Sequence, residues 1–151
     1  MKLTKRGEYG LKALLVLAQA YGQRTLSLRE ISTREKLPVK FLEQIMMVFK
    51  RSNFVESVKG KHGGYSLSRS PEEITIGEVI RAVDGPLAPL ADAREIERRI
   101  QKGDRHPGLY SVLLDVRNAI SEILDHKSLA DICTKSLELA RSKPIRQMYY
   151  I

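Results

Sequence analysis

The chain has 151 residues, 42% of them apolar, and a formal net charge of +8, which suits one domain with an appendage built on a real hydrophobic core. No run approaches the roughly 18 apolar residues of a membrane span, and the N-terminus lacks a signal-peptide pattern, so a cytoplasmic protein is expected. A single cysteine, Cys133, excludes an internal disulfide framework and a cysteine-based zinc site, and His62, His106 and His126 lack the spacing of a histidine metal motif.

In chain order, Thr4 can cap a first helix reaching about residue 20, with Tyr9, Ala13, Leu14, Leu17, Ala18 and Tyr21 on its packing face and Gly22 placed to stop it. Ser27 followed by Glu30 is a capping-box pattern for a second helix, whose apolar positions are Leu28, Ile31 and Leu37. Pro38 cannot continue that helix but suits the first turn of the next. From there Val39, Leu42, Ile45, Met46 and Phe49 recur at three- and four-residue spacing and share one face. The opposite face carries Lys40, Glu43, Gln44, Met47 and Arg51. Alone, this pattern reads most simply as an amphipathic helix with a solvated polar side.

The residues after this helix change that reading. Asn53 ends the helix, Phe54, Val55 and Val58 read as a short strand, and Tyr65 and Leu67 as its partner. Between them lies Lys59-Gly60-Lys61-His62-Gly63-Gly64, a cationic loop whose glycines can take backbone angles closed to other residues. A cationic hairpin directly after two helices joined by a tight turn is a winged helix-turn-helix, with a wing suited to phosphates or the minor groove. The charge agrees: residues 1–70 hold 14 Lys/Arg against 5 Asp/Glu, and residues 71–151 hold 12 against 13. The positive field therefore belongs to the half with the wing, as attraction to a polyanion through counterion release requires.

Beyond the wing, Ser70-Pro71 ends the strand and Thr75 with Glu78 forms a second capping box. The helix it opens turns Ile76, Val79, Ile80 and Val83 inward and stops at Asp84-Gly85-Pro86. Residues 91–102 suggest a charged helix with Ile96 and Ile100 on one side, broken at Gly103-Asp104. The longest helical pattern runs over 107–125, with Leu109, Val112, Leu113, Val116, Ile120, Ile123 and Leu124 in one stripe. Such a helix spans roughly 28 Å, longer than the winged unit covers. A second subunit packed on the stripe is favoured over packing back on its own domain. Ser128 with Asp131 opens a last helix over 129–140, where Cys133 packs as a small hydrophobe. Pro144 discourages further helix and leaves a tail ending Met148-Tyr149-Tyr150-Ile151. The expected fold is mainly α with a small two-stranded β wing. It comprises a winged helix-turn-helix at 1–86, a linker or sensor loop at 87–106, and a dimerisation helix, final helix and tail at 107–151.

Several stretches together resemble one family along nearly the whole chain. They are Leu3-Thr4-Lys5-Arg6-Gly7-Glu8-Tyr9-Gly10, Leu42-Glu43-Gln44-Ile45 and Gly63-Gly64-Tyr65-Ser66-Leu67. They continue with Ile74-Thr75-Ile76, Asp84-Gly85-Pro86-Leu87, Ile123-Leu124-Asp125 and Ser128-Leu129-Ala130-Asp131. The combination resembles the Rrf-type winged-helix transcriptional regulators of bacteria. Many members hold an iron–sulfur cluster through three cysteines ahead of the long helix. This chain has none from position 87 to 110, and thiolates are the usual cluster ligands. In this departure and in its C-terminal residues it looks most like the cluster-less CymR branch.

The resemblance and the residues together imply a homodimeric, sequence-specific DNA-binding regulator with no cofactor or metal of its own. Lys40, Glu43, Gln44 and Met47 are expected at base edges in the major groove, where Pro38 and Val39 start the reading helix. Lys2, Ser27 and Arg51 are expected on phosphates, and Lys59, Lys61, His62 and Gly63 in or over the minor groove. The stripe on the long helix would set the spacing of two half-sites in a near-palindrome. The alternative is a general nucleoid protein, which needs charge but little discrimination; Glu43 opposes phosphate attraction and makes sense mainly as a filter. An enzyme is not expected, since no nucleophile–base pair, phosphate loop or metal motif is present. For the Tyr149-Tyr150-Ile151 end two readings stand. It packs on the dimer, or its carboxylate docks in a partner, for which the CymR resemblance implies cysteine synthase.

Overall fold

The computed structural model describes residues 2–87 and 93–149, with only the backbone course for 143–149. The described elements are α1 (Lys5–Gln19), α2 (Leu28–Glu35), α3 (Val39–Arg51), β1 (Val55–Val58), β2 (Gly64–Leu67), α4 (Ile76–Asp84), α5 (Ala93–Gln101), α6 (Pro107–Leu124) and α7 (Leu129–Tyr149). Helix starts follow local chemistry. The Thr4 side chain accepts from the Gly7 N–H. Ser27 with Glu30 and Thr75 with Glu78 each form a complete capping box. Ser128 and Asp131 exchange the same reciprocal bonds at the head of α7. The two strands pair antiparallel, Val55 opposite Leu67 and Val58 opposite Gly64.

One core joins the elements. Ala13, Leu14 and Leu17 of α1 meet Leu42, Ile45, Met46 and Phe49 of α3, with Phe54, Ile74, Val79 and Leu129 completing it. The rings of Phe49 and Phe54 stand edge to face at 5.8 Å. The head of α7 thus shares the core of α1. The corner between α6 and α7 is tied to α4 as well. The Ile76 N–H donates to the Lys127 carbonyl, the Leu129 N–H to the Ile74 carbonyl, and Arg81 reaches Asp125 with two hydrogen bonds of 2.6 and 2.8 Å.

Four local expectations need correction. The final helix does not stop near residue 140 but runs through Pro144 to Tyr149. Proline removes one i→i−4 bond and crowds one carbonyl, a local cost, and Leu137, Glu138, Leu139 and Ala140 ahead of it are strong helix formers. Tyr21 leaves the packing face of α1 and is 42% exposed, because the helix ends at Gln19 and the period stops with it. Val16, which the face omitted, is buried. Phe54 is buried ahead of β1 rather than in it.

The stripe on α6 divides in two. Ile120 and Leu124 pack on the chain's own core and Leu113 is half-buried, whereas Leu109, Val112, Val116 and Ile123 are exposed. No residue of α6 is fully buried. The helix α5 lies along α6, with Ile96 buried and Ile100 half-buried. Residues 91 and 92 of the charged-helix pattern, and Tyr150 and Ile151 of the tail, lie outside the described residues.

Candidate nucleic-acid interface

Burial decides how α3 is turned. Leu42, Ile45, Met46 and Phe49 are each 0% exposed, so the helix cannot rotate without opening the core. Its other side presents Lys40, Glu43, Gln44, Met47 and Arg51 to solvent, with Pro38 and Val39 exposed at its start. Met47 is 56% exposed, a high value for a large apolar side chain in the middle of a helix. The turn into α3 places Lys36 in the left-handed conformation at φ 53°, and the Ser32 hydroxyl donates to the Leu37 carbonyl across it. At the far end, the Lys50 ammonium donates to the Ser57 hydroxyl at 2.9 Å and ties α3 to β1.

The wing is bound to the body along its other strand. Leu26 pairs with Tyr65 in both directions, N–H to carbonyl at 2.9 and 2.7 Å, so one residue of the α1–α2 connection forms a third rung beside β2. At the tip, the Gly63 N–H donates to the Gly60 carbonyl at 3.0 Å and closes the turn. Lys59, Lys61 and His62 are exposed and Gly63 is half-buried. The Thr25 hydroxyl donates to the His62 carbonyl at 2.8 Å. At the wing's base the Arg69 guanidinium lies 5.4 Å from the Phe54 ring centre, donates to the Asn53 carbonyl and pairs with Glu78.

Ser27 stands between helix and wing. Its hydroxyl accepts from the Glu30 N–H at 3.1 Å, which leaves its own proton free to donate. The Ser27 backbone N–H, and then Arg24, hold the Glu30 carboxyl below the usual carboxylate range. Lys2 is exposed on the extended segment before α1. The fold therefore brings the α3 outer face, Ser27 and the wing tip onto one connected unit. The exposed residues of α6 lie on a different element, and the side chain of Tyr149 is outside the described residues. Thr25, Leu26 and Lys50 were not legible as part of this unit. Their partners are residues that no helical or strand period links to them.

Cys133 is half-buried on α7, with its sulfur 3.9 Å from the Leu15 carbonyl, and burial pushes its thiol pKa up. Among the described residues no three His, Cys, Asp or Glu side chains converge as metal ligands, and no helix is long and apolar enough to cross a membrane.

Comparison with known proteins agrees with this geometry. Residues 3–135 match the Rrf2 family, described as an iron-dependent transcriptional regulator. The HTH-type transcriptional regulator CymR of Bacillus subtilis is 31% identical over 134 residues, covering 89% of this chain and 91% of that protein. The solved structure of CymR, the global cysteine regulator of B. subtilis, superposes with a TM-score of 0.77 at 29% identity, over 89% of this chain and 98% of that one. The structure of T. potens IscR superposes at 0.70 with 32% identity, over 90% of this chain and 88% of that one. The donor set here does not fit an iron–sulfur cluster of the family's kind. The sequence has one cysteine, and its partly buried, protonation-favouring setting between α7 and α1 offers one thiol where clusters take several thiolates.

Proposed function

The chain belongs to the Rrf2 family of DNA-binding, winged-helix transcriptional regulators, and from that premise we propose that it binds a near-palindromic operator as a homodimer, without an iron–sulfur cluster. The observation that carries the DNA-reading assignment is the locked rotation of α3, whose buried face leaves Lys40, Glu43, Gln44 and Met47 together on the open side. Entering the major groove by its N-terminal half, such a helix reads base edges. Gln44 both donates and accepts, as an adenine edge requires. Glu43 only accepts, which favours a cytosine amino group and penalises base edges that present only acceptors. Met47 suits a thymine methyl. Lys2, Ser27 and Arg51 hold phosphates, and Lys59, Lys61 and His62, on a tip turned by Gly63, follow the minor groove or its phosphates.

Dimerisation through α6 is supported by the exposed seam of Leu109, Val112, Val116 and Ile123, with Leu113, Ile120 and Leu124 bracing its inner side. In this reading 1–86 is the DNA-binding part, 87–106 the connecting segment and 107–151 the dimerisation part with its tail. A link to cysteine or sulfur metabolism is supported by the similarity to the B. subtilis cysteine regulator. Tyr149, Tyr150 and Ile151 are then the residues proposed to dock in a cysteine synthase of the host cytoplasm.

The test is selection of bound duplexes from a random pool, followed by two substitutions. Gln44→Ala is expected to cost about 1–3 kcal/mol and relax preference at one base position, whereas Lys61→Ala weakens binding to all sequences and shallows the salt slope by about one unit. Equal losses on selected and random DNA for Gln44→Ala refute its assignment as a reader. Failure to select any motif favours a general nucleoid protein instead.

A further inference from the structure

We propose that Thr25 is a positioning residue for the wing, and that its hydroxyl sets where the cationic tip stands relative to the recognition helix. The proposal rests on the reading that the wing contacts DNA.

A hairpin of two four-residue strands is marginal by itself. Between Val58 and Gly64 its tip has one internal backbone bond, from Gly63 to Gly60. Among the described residues, one hydrogen bond joins the tip to the rest of the molecule, from the Thr25 hydroxyl to the His62 carbonyl at 2.8 Å. That acceptor is flanked by the side chains expected at the DNA, Lys61 and His62. The donor is firmly held. Leu26, the next residue, is 0% exposed and pairs with Tyr65 on both sides of its peptide. Ser27 after it caps α2. Thr25 therefore belongs to the frame that carries α2 and, through the tight turn, α3. Gly64 makes the approach possible, since a Cβ there would lie 2.6 Å from the Leu26 carbonyl oxygen. A β-branched side chain has few χ1 states, so the hydroxyl is already aimed when DNA arrives.

A tip held in advance does not have to be ordered during binding, and ordering loops at an interface weakens association. Removing one exposed neutral hydrogen bond of this kind is expected to weaken DNA binding roughly three- to tenfold. Thr25→Val keeps the shape and removes the donor; Thr25→Ser keeps the donor. Both are measured in the full chain with Lys61→Ala and the Thr25→Val/Lys61→Ala double variant. The probes are the duplex selected from the random pool and a random duplex of equal length.

The expected result has four parts. Thr25→Val loses roughly three- to tenfold on both duplexes, its thermal midpoint falls by no more than a few degrees, and Thr25→Ser binds like wild type. Lys61→Ala costs less in the Thr25→Val background than alone, because an untethered lysine contributes less. Wild-type affinity for Thr25→Val beside a weakened Lys61→Ala overturns the proposal while leaving the wing reading intact. So does strict additivity of the two substitutions, since Thr25 then acts elsewhere. If Lys61→Ala itself binds like wild type, the wing reading fails and the proposal with it.

Discussion

Val112→Asp is expected to split the proposed dimer and, with it, the operator complex. Val112 is 59% exposed on a seam with Leu109 at 56%, Val116 at 43% and Ile123 at 61%. Fully burying such a side chain contributes about 1.5–3 kcal/mol, and each has about half of that left to gain, roughly 1 kcal/mol. A two-fold interface counts every residue twice, so the seam offers roughly 8 kcal/mol before the cost of association. The substitution removes roughly 2 kcal/mol of this. It also asks two carboxylates, one from each copy, to leave water without partners, which costs several kcal/mol more. Together these predict at least a thousandfold rise in dimer Kd, on the scale of about 1.4 kcal/mol per tenfold. Sedimentation velocity at micromolar protein reads the association, and circular dichroism reads folding. A folded monomer is expected, because no residue of α6 is fully buried within its own chain. Affinity for the selected duplex should fall to that of a half-site, with the salt slope roughly halved. A variant that sediments as a dimer and binds like wild type refutes the seam, and so does a wild-type chain that is monomeric at tens of micromolar.

Four further outcomes are expected. The Arg81–Asp125 pair clamps α4 to the α6–α7 corner, and a Cβ at Gly77 would collide with the Asp125 carboxylate; Gly77→Ala should therefore lower stability by no more than Arg81→Met, about 1 kcal/mol or less for a pair this exposed, and a much larger loss in a chemical denaturation would show that backbone rather than the flexible carboxylate gives way. The hydrogen bonds from Arg81 hold the Asp125 carboxyl below its ordinary value of 3.8, so the pair's contribution is present above that pH and lost as pH falls through the lowered folded value; the melting difference between wild type and Arg81→Met should be constant from neutral pH to about 3.8 and vanish below it, and a difference that titrates near pH 6 would assign the clamp to another group. The protein purified anaerobically and reconstituted with iron and sulfide should be colourless and bind DNA unchanged, while stoichiometric charge-transfer absorption in the visible would contradict the assignment of a donor set unfit for a cluster. Deleting Ile151 should abolish calorimetric binding to the host's cysteine synthase and leave the dimer folded; no binding by the full-length chain at tens of micromolar makes the tail structural.

The parts of this fold that sequence alone determined are those whose partners are neighbours in the chain. Ser27 with Glu30, Thr75 with Glu78 and Ser128 with Asp131 are three residues apart, and all three pairs form the reciprocal bonds of a helix start. The buried face of α3 likewise follows from a period within thirteen residues. The open face was therefore legible too, since one fixes the other, and the glycine-rich cationic hairpin announced itself by composition. Tertiary structure decided what depends on distant chain segments. Thr25 meets His62 across 37 residues and Arg81 meets Asp125 across 44, and neither pair leaves a periodic trace. It also decided which part of a single apolar stripe stays free. Ile120 and Leu124 are claimed by the chain's own core, while Val112, Val116 and Ile123 are not. Pro144 belongs to neither kind: the helix runs through it with one bond missing, a cost confined to that turn. Local hydrogen bonds and side-chain period are properties of a short stretch, but which surfaces remain uncovered is a property of the whole packed chain.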